Sequence, residues 1–511
     1  MKSDATTSSA PPAKRLLSLR SLVTQAYIWL ALPLLIWIFG WLRWYCAVPL
    51  AAILILAVGR ILKGEGDGSG FVSEHFSPVT MDRKFWMIAL VVLLYVIYCG
   101  MGGFFYQIPA DNFYRNAIFY DLVRRPWPVE YPPLADGEPR MLCYYLGFWL
   151  PAALGAKLCG GYIMPGDALQ VIYAAWGLFI ALCFISSYCG GRMRWILLIV
   201  FLFFGGWDIV TSLIFAPADE RDTLNKFLTV GLDQDASTYY DIANTSIFTA
   251  YIYNQGIPSL VGCLLILFQR RRPELLLLPF ALLFFFAPLP CVGVAVVMVP
   301  WMLRNWRKSL SWLNAAALPL LAVTALYFMA NNNANRPLNH LADGLWPEIL
   351  GHGLAWLTLG VGIWLPFIWK SVRRNWMFWT WVAVGYLAPL YGMGQDVDFG
   401  LRVSIPLSIY MMLLVADAAA SIRRWNSARG WALGCTLAIG SCAPLGVYYY
   451  VVYHAVTKCI MQGVPAKRIH GYNLLSDPDH NVFYNNFIAT GQGPFYRYLM
   501  RHGDEAQPEQ H

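Results

Sequence analysis

The residues best suited to chemistry in this 511-residue chain are a few carboxylates, amides and cations at the ends of long apolar runs. The first group opens at Asp111, in Pro109-Ala110-Asp111-Asn112-Phe113-Tyr114-Arg115-Asn116. A carboxylate a few residues past an apolar run is the first candidate for chemistry. Arg115 and Asn116, on the polar side of the same segment, are candidate substrate ligands. Pro-Ala-Asp ahead of a helix is also good N-cap chemistry, so Asp111 has a structural reading beside the catalytic one. Asp121 is a second acidic candidate, with a plainer role as a partner for Arg124 or Arg125.

A second group is Gly394-Gln395-Asp396-Val397-Asp398-Phe399-Gly400-Leu401-Arg402. Arg402 there can pair with Asp396 or Asp398, or clamp a lipid phosphate with its planar fork. Asp208, in Phe-Phe-Gly-Gly-Trp-Asp-Ile-Val, lies inside an apolar run, where a carboxylate is a functional candidate by default. Asn254-Gln255-Gly256-Ile257-Pro258 interrupts another run. It marks either a simple kink or an unwound turn that lines a cavity through Asn254 and Gln255. His340, Glu348 and His352 lie near the mouth of a further run. The acidic stretch 217–245 lacks calcium-loop spacing and reads as a solvated loop. No paired CxxC or Cys/His spacing is present, so no metal site or cofactor is expected, and a divalent cation is not indicated.

The elements that must position these groups follow from composition. Hydrophobic residues make up 58% and charged residues 13% of the chain, about half the charge of a soluble domain. The apolar residues fall into runs of roughly 18–22, the length that crosses a bilayer. This excludes a soluble globular protein, a disordered chain and a nucleic-acid-binding domain. The net charge of +8 reflects Lys and Arg in short loops between runs, as membrane orientation requires. The expected fold is an all-α polytopic membrane protein of about 13 transmembrane helices. The expected spans are 22–42, 44–62, 85–103, 168–188, 195–215, 250–269, 274–287, 290–303, 311–330, 349–369, 376–393, 401–420 and 431–452. The pair at 274–303 is either two spans or a re-entrant hairpin. Many of the 22 Trp residues, Trp41, Trp44, Trp86 and Trp431 among them, stand at run ends, where the ring suits the headgroup level.

The run 142–159 decides orientation. If it spanned, every later arginine-rich loop would face outward. Lying at the surface, it leaves most of the 37 Lys and Arg on the inner side. The N-terminus is then inside and the C-terminus outside. Residues 1–20 form a disordered cytosolic start and 21–452 the transmembrane domain. Within that domain, 104–167 is a first large outer loop and 216–249 a second. Residues 453–511 form an outer tail docked as a cap. In the first loop, 111–123 suits a helix with Tyr114, Ala117, Ile118 and Leu122 on one side and Asn112, Arg115 and Asn116 on another. The eleven Cys read as buried free thiols. A Cys143–Cys159 bridge is disfavoured by the helix expected between them.

A carboxylate just past a membrane exit, a large first outer loop with two surface helices, and Tyr131-Pro132-Pro133-Leu134 ahead of Tyr144-Tyr145 together resemble the GT-C superfamily of membrane glycosyltransferases. The similarity is to the branch of aminoarabinose transferases and protein O-mannosyltransferases. The aminoarabinose branch carries Lys-Pro-Pro-Leu and Tyr-Trp in this region. The resemblance implies transfer of a sugar from a polyprenyl-phosphate donor to an acceptor glycan, lipid or protein. It places the reaction at the outer face of a plasma (inner) membrane, facing the periplasm or exterior, with membrane lipid as a partner. It also implies Asp111 as general base, with cations stabilising the leaving lipid phosphate. Two alternatives stand beside it: a polysaccharide polymerase or ligase, and a transporter or lipid flippase of envelope glycan precursors. A non-enzymatic scaffold of an envelope assembly is a further class.

Overall fold

The computed structural model describes residues 15–63, 75–108, 111–133, 137–207, 209–211, 240, 242–332, 337–338, 344–393, 398–467, 484–491 and 493–502. Among the described residues sixteen helices carry the architecture: α1 Leu19–Trp41, α2 Trp44–Lys63, α3 Arg83–Tyr98, α4 Asp111–Arg124, α5 Leu150–Leu158, α6 Ile163–Tyr188, α7 Trp195–Phe203, α8 Tyr253–Gln269, α9 Leu277–Phe284, α10 Pro288–Arg304, α11 Trp312–Met329, α12 Trp346–Val372, α13 Trp376–Leu387, α14 Asp398–Ala420, α15 Ala428–Gly440 and α16 Cys442–Ile460. The chain is a helical, membrane-embedded protein.

Helix starts follow capping chemistry. The side chains of Ser18, Asp82, Ser311, Asn375 and Ser427 each accept a hydrogen bond from a backbone N–H of the following turn, which satisfies donors that a helix otherwise leaves open. Helix α14 is the central element, with 89% of its apolar window buried, against 39% for α2. Around it, aromatic rings lock helices together. Trp29 of α1 stacks on Tyr173 of α6 at 4.4 Å, each ring donating to the other residue's carbonyl, at 2.9 Å from Trp29 and 2.7 Å from Tyr173. Gly177 makes this possible, since a Cβ there would stand 2.7 Å from the Trp29 ring.

Six helices among the described residues are long and apolar enough to cross a membrane, or seven if α15 and α16 form one bent span. By this measure the expected thirteen are not reached. Several runs are cut by local chemistry. The run at 85–103 ends as helix at Tyr98, before Gly100, Gly102 and Gly103, all at positive φ. The run at 195–215 stops at Phe203. The run at 431–452 bends by 43° at Ser441, because Gly440 and Gly205 bring their backbones together. A Cβ on Gly205 would lie 2.6 Å from the Gly440 carbonyl. Pro444 then sits in the first turn of α16, where a missing N–H is tolerated. The pair at 274–303 forms two shorter apolar helices, Pro273–Phe284 and Pro288–Arg304.

The decisive run 142–159 does not form a spanning helix. It splits into the end of a strand, the 3-10 turn Leu146–Phe148 and the nine-residue α5, far short of the ~20 residues a span needs. A three-stranded antiparallel sheet forms here from β1 (Glu130–Tyr131), β2 (Arg140–Leu142) and β3 (Ile488–Thr490), with Arg140 opposite Thr490 and Leu142 opposite Ile488. The tail is therefore stitched into the first large loop. It continues as a π-turn, Phe495–Leu499, whose Phe495 stacks on Trp37. Arg43, in the α1–α2 turn, donates to the carbonyls of Met500 (2.9 Å) and Arg497 (3.0 Å). Trp44, Trp86 and Trp431 are exposed as expected of run ends, whereas Trp41 is fully buried against Trp127.

Candidate functional site

The site begins with α4, which occupies the residues expected of it. Its polar residues Asn112, Arg115 and Asn116 are buried, as is Asp121, together with Ile118, Phe119 and Leu122. A helix buried on both faces needs partners for its polar groups, and most of those on α4 find one. Asn112 Nδ2 donates to the carbonyls of Ile108 at 2.7 Å and Ala250 at 3.2 Å. This ties α4 to the π-turn Ile247–Tyr251 that precedes α8. Asn112 Oδ1 accepts from Arg115 Nη1 at 3.5 Å. The Arg115 guanidinium lies 5.5 Å from the centre of the Tyr253 ring, in cation–π range. The Tyr253 hydroxyl accepts from Trp149 Nε1 at 3.3 Å. Asn116 Nδ2 donates to Gln107 Oε1 at 2.7 Å.

Beside this wall is a small cavity lined by Tyr106, Gln107, Ile108, Asn112, Phe113, Asn116, Pro465 and Ala466. Its far side is the tail. Gln107 N donates to the Ala466 carbonyl at 3.0 Å, and Lys467 Nζ meets Asp167 Oδ1 at 2.5 Å, both side chains nearly buried. Gln170 Nε2 supports Asp167 at 3.3 Å. Lys467 also lies 5.5 Å from the Phe119 ring. Its aliphatic stem fits against Gly103, where any Cβ would collide with it. The α4 wall, the start of α6, the start of α8 and the tail thus converge at one end of the bundle.

Asp121 serves structure. Its two oxygens accept from Arg125 Nε at 3.3 Å and from the Tyr131 hydroxyl at 2.7 Å. Burial raises its carboxyl above the ordinary value, while Tyr131 and Arg125 act in the opposite direction. Tyr131 is pushed far above its usual range, by burial first and the neighbouring Asp121 second. Lys157, which donates to the Arg125 carbonyl, is lowered by burial.

The remaining candidates divide. Asp111 is the first residue of α4, and its side chain lies outside the described residues. Asp208, Asp396, His340, the side chain of Asp398 and nearly all of the acidic stretch 217–245 also lie outside them. Asn254 and Gln255 are fully buried in the first turn of α8. The break in the backbone comes just before them, at Ile252 between the π-turn and the helix, so Asn254–Pro258 is itself helical. Both polar atoms of Asn254, and Oε1 of Gln255, are buried with no hydrogen-bond partner among the described residues. Arg402 is buried in the first turns of α14. Its neighbour Val403 packs its carbonyl on Gly293 of α10. In α12, Glu348 is exposed and His352 half-buried.

Gln107, Asn112, Tyr253, Asp167 and Lys467 complete the site but were not singled out as ligands by sequence. A Pro-Gly-Asp at the head of a run was the available signal for Asp167. Nothing local pointed to Lys467, which arrives from the tail. Among the described residues no three His, Cys, Asp or Glu side chains gather as a metal site would require. Compared with protein-family models, with curated proteins and with solved structures, the chain matches none.

Proposed function

We propose that this protein is a glycosyltransferase of GT-C type. It moves a sugar from a polyprenyl-phosphate donor to a glycan, lipid or protein acceptor at the outer face of a plasma membrane. In this reading the thirteen apolar runs all cross or enter the bilayer, with the N-terminus inside and the site outside. The observation that carries it is the buried polar wall of α4. Asp111 heads a helix whose Asn112, Arg115 and Asn116 turn inward beside a cavity and an aromatic pair, Tyr253 and Trp149. Buried polar groups are costly unless paired, and the pairing fixes these side chains beside the cavity.

The roles follow from charge. Asp111 takes the proton of the acceptor hydroxyl as it attacks the sugar carbon. Arg115, held by Asn112 and the Tyr253 face, supplies positive charge for the phosphate that leaves. The test is mass spectrometry of membrane lipids and envelope glycans from wild type, a deletion strain and the deletion strain carrying Asp111→Asn. Accumulation of one polyprenyl-phosphate sugar in both mutants, with one sugar missing from a glycan or lipid and Asp111→Asn protein at normal membrane abundance, is the expected result. Normal glycans in Asp111→Asn overturn the assignment of the base. Unchanged lipid-linked sugars in the deletion overturn the donor class and leave transport of a precursor as the better reading.

A further inference from the structure

The cavity beside α4 encloses about 10 Å³, room for roughly one water molecule. Nothing larger meets Asn112 and Asn116 there unless part of the lining moves. Six of the eight lining residues lie between Tyr106 and Asn116, and the other two are Pro465 and Ala466 of the tail. Residues 461–467 are therefore the cover. They form neither helix nor strand, and Met461, Gln462, Gly463 and Pro465 are exposed, so the segment gives up little packing when it moves. Its root is tied to the end of α16: after a turn at Gly463, with φ at +66°, the Val464 N–H donates to the Lys458 carbonyl at 2.9 Å. Beyond the root, among the described residues, one backbone hydrogen bond joins it to the cavity wall, from Gln107 N to the Ala466 carbonyl at 3.0 Å. The remaining hold is Lys467. Its Nζ meets Asp167 Oδ1 at 2.5 Å, and its stem lies on Gly103, where a Cβ would stand 2.5 Å from the Lys467 Cβ.

We infer that residues 465–467 are a gate. The Lys467–Asp167 pair holds Pro465 and Ala466 over the cavity, and release of the pair swings them away from the root at Val464 and opens the polar wall of α4. An ion pair suits a latch of this kind. Two ions that regain water on separating recover most of what their contact supplies, so the closed state is held without being locked. Loss of the cation alone has the opposite effect on the closed state. It strands the Asp167 carboxylate in a nearly buried position, and lifting the gate lets water reach it. The inference concerns access alone and stands whatever the cavity takes. Its test uses no activity, so its failure leaves the proposed reaction to a test of its own.

Ile108, buried on the cavity wall, is replaced by Cys, itself a small apolar side chain. The full-length protein in detergent is treated with N-ethylmaleimide, which is too large for the closed cavity. Modification is read by mass spectrometry at residue 108 and at the native Cys183, buried in α6. In Ile108→Cys alone, residue 108 reacts roughly tenfold or more faster than Cys183, because the gate opens without the bundle. Adding Lys467→Met, or Gly103→Ala, which drives a Cβ into the Lys467 stem, speeds residue 108 by roughly a further tenfold and leaves Cys183 unreactive. Adding Asp167→Asn to Lys467→Met removes the stranded charge and returns the rate most of the way. In the unsubstituted chain, the Gln107 amide exchanges hydrogen roughly a hundredfold or more faster than the amides of 174–182 in α6, a reading that needs no variant to fold. An unchanged rate at residue 108 in both variants, a rate that rises equally at Cys183, or a Gln107 amide as protected as those of α6 overturns the inference.

Discussion

Replacing Lys467 with Met removes the cation that holds the tail against the first large loop. Lys467 Nζ and Asp167 Oδ1 are 2.5 Å apart, with 12% and 11% of their side chains exposed. At an effective dielectric of ~20, the Coulomb attraction over that distance is about 7 kcal/mol. Desolvating two ions cancels most of it, so the intact pair contributes little net stability. Breaking it is different. Lys467→Met leaves Asp167 buried with Gln170 as its remaining partner, and an uncompensated buried charge costs roughly 3–5 kcal/mol. The double variant Asp167→Asn/Lys467→Met removes the charge as well and recovers most of the loss. Unfolding of all four proteins in detergent gives the coupling energy as a double-mutant cycle. Hydrogen exchange at the Gln107 amide, which donates to the Ala466 carbonyl, reports whether the tail has lifted. A Lys467→Met penalty below about 1 kcal/mol, with Gln107 still protected, would refute the argument that this ion pair clamps the tail.

Tyr131→Phe deletes a bond to a buried carboxylate and destabilises by roughly 2 kcal/mol, measured by thermal unfolding at pH 7. The same substitution tests a pH dependence. Asp121 sits above the usual carboxyl value because of burial, so the folded state binds its proton more readily than the unfolded state. Stability contributed by this group therefore falls as pH rises from 3.8 through the raised folded value, and is flat above it. Tyr131 normally lowers the folded value, so Tyr131→Phe extends the falling window upward, and Asp121→Asn abolishes it. Gly440→Val forces a side chain against the Gly205 carbonyl, 2.7 Å from where its Cβ must stand. It costs ~3 kcal/mol in the same melts, whereas Gly434→Val, at a position with nothing within 4 Å, costs less than 1 kcal/mol.

Much of this was legible in the residues because hydrophobic runs report burial directly. The α1–α2 hairpin, α6, α11 and α14 stand within a few residues of where their runs place them. The helix at 111–124 was legible too, from its alternation of Tyr114, Ala117, Ile118 and Leu122 with polar residues. What that periodicity did not reveal was that the polar stripe faces inward. A 3.6-residue period separates two faces but does not say which solvent each meets. The breaks at Phe203 and Ser441 were hidden for a related reason. Both depend on Gly205 and Gly440 approaching across distant segments, and a glycine in an apolar run carries no mark of its neighbour. Lys467 was invisible as a site residue because its carboxylate partner lies 300 positions earlier.

The third strand of the sheet has a consequence for how the protein is made. β2 is synthesised early and offers its free edge to β3, which emerges only after α16. The Arg43 side chain likewise waits for Met500, 457 positions later. Until the ribosome has delivered those residues, the loop that carries Asp111 lacks one wall and shows an unpaired strand edge, the kind of surface that chaperones and proteases act on. Closure of that edge is then a late checkpoint in biogenesis. A nascent chain stalled before residue 484 presents a bundle whose helices are inserted but whose candidate site is still unassembled.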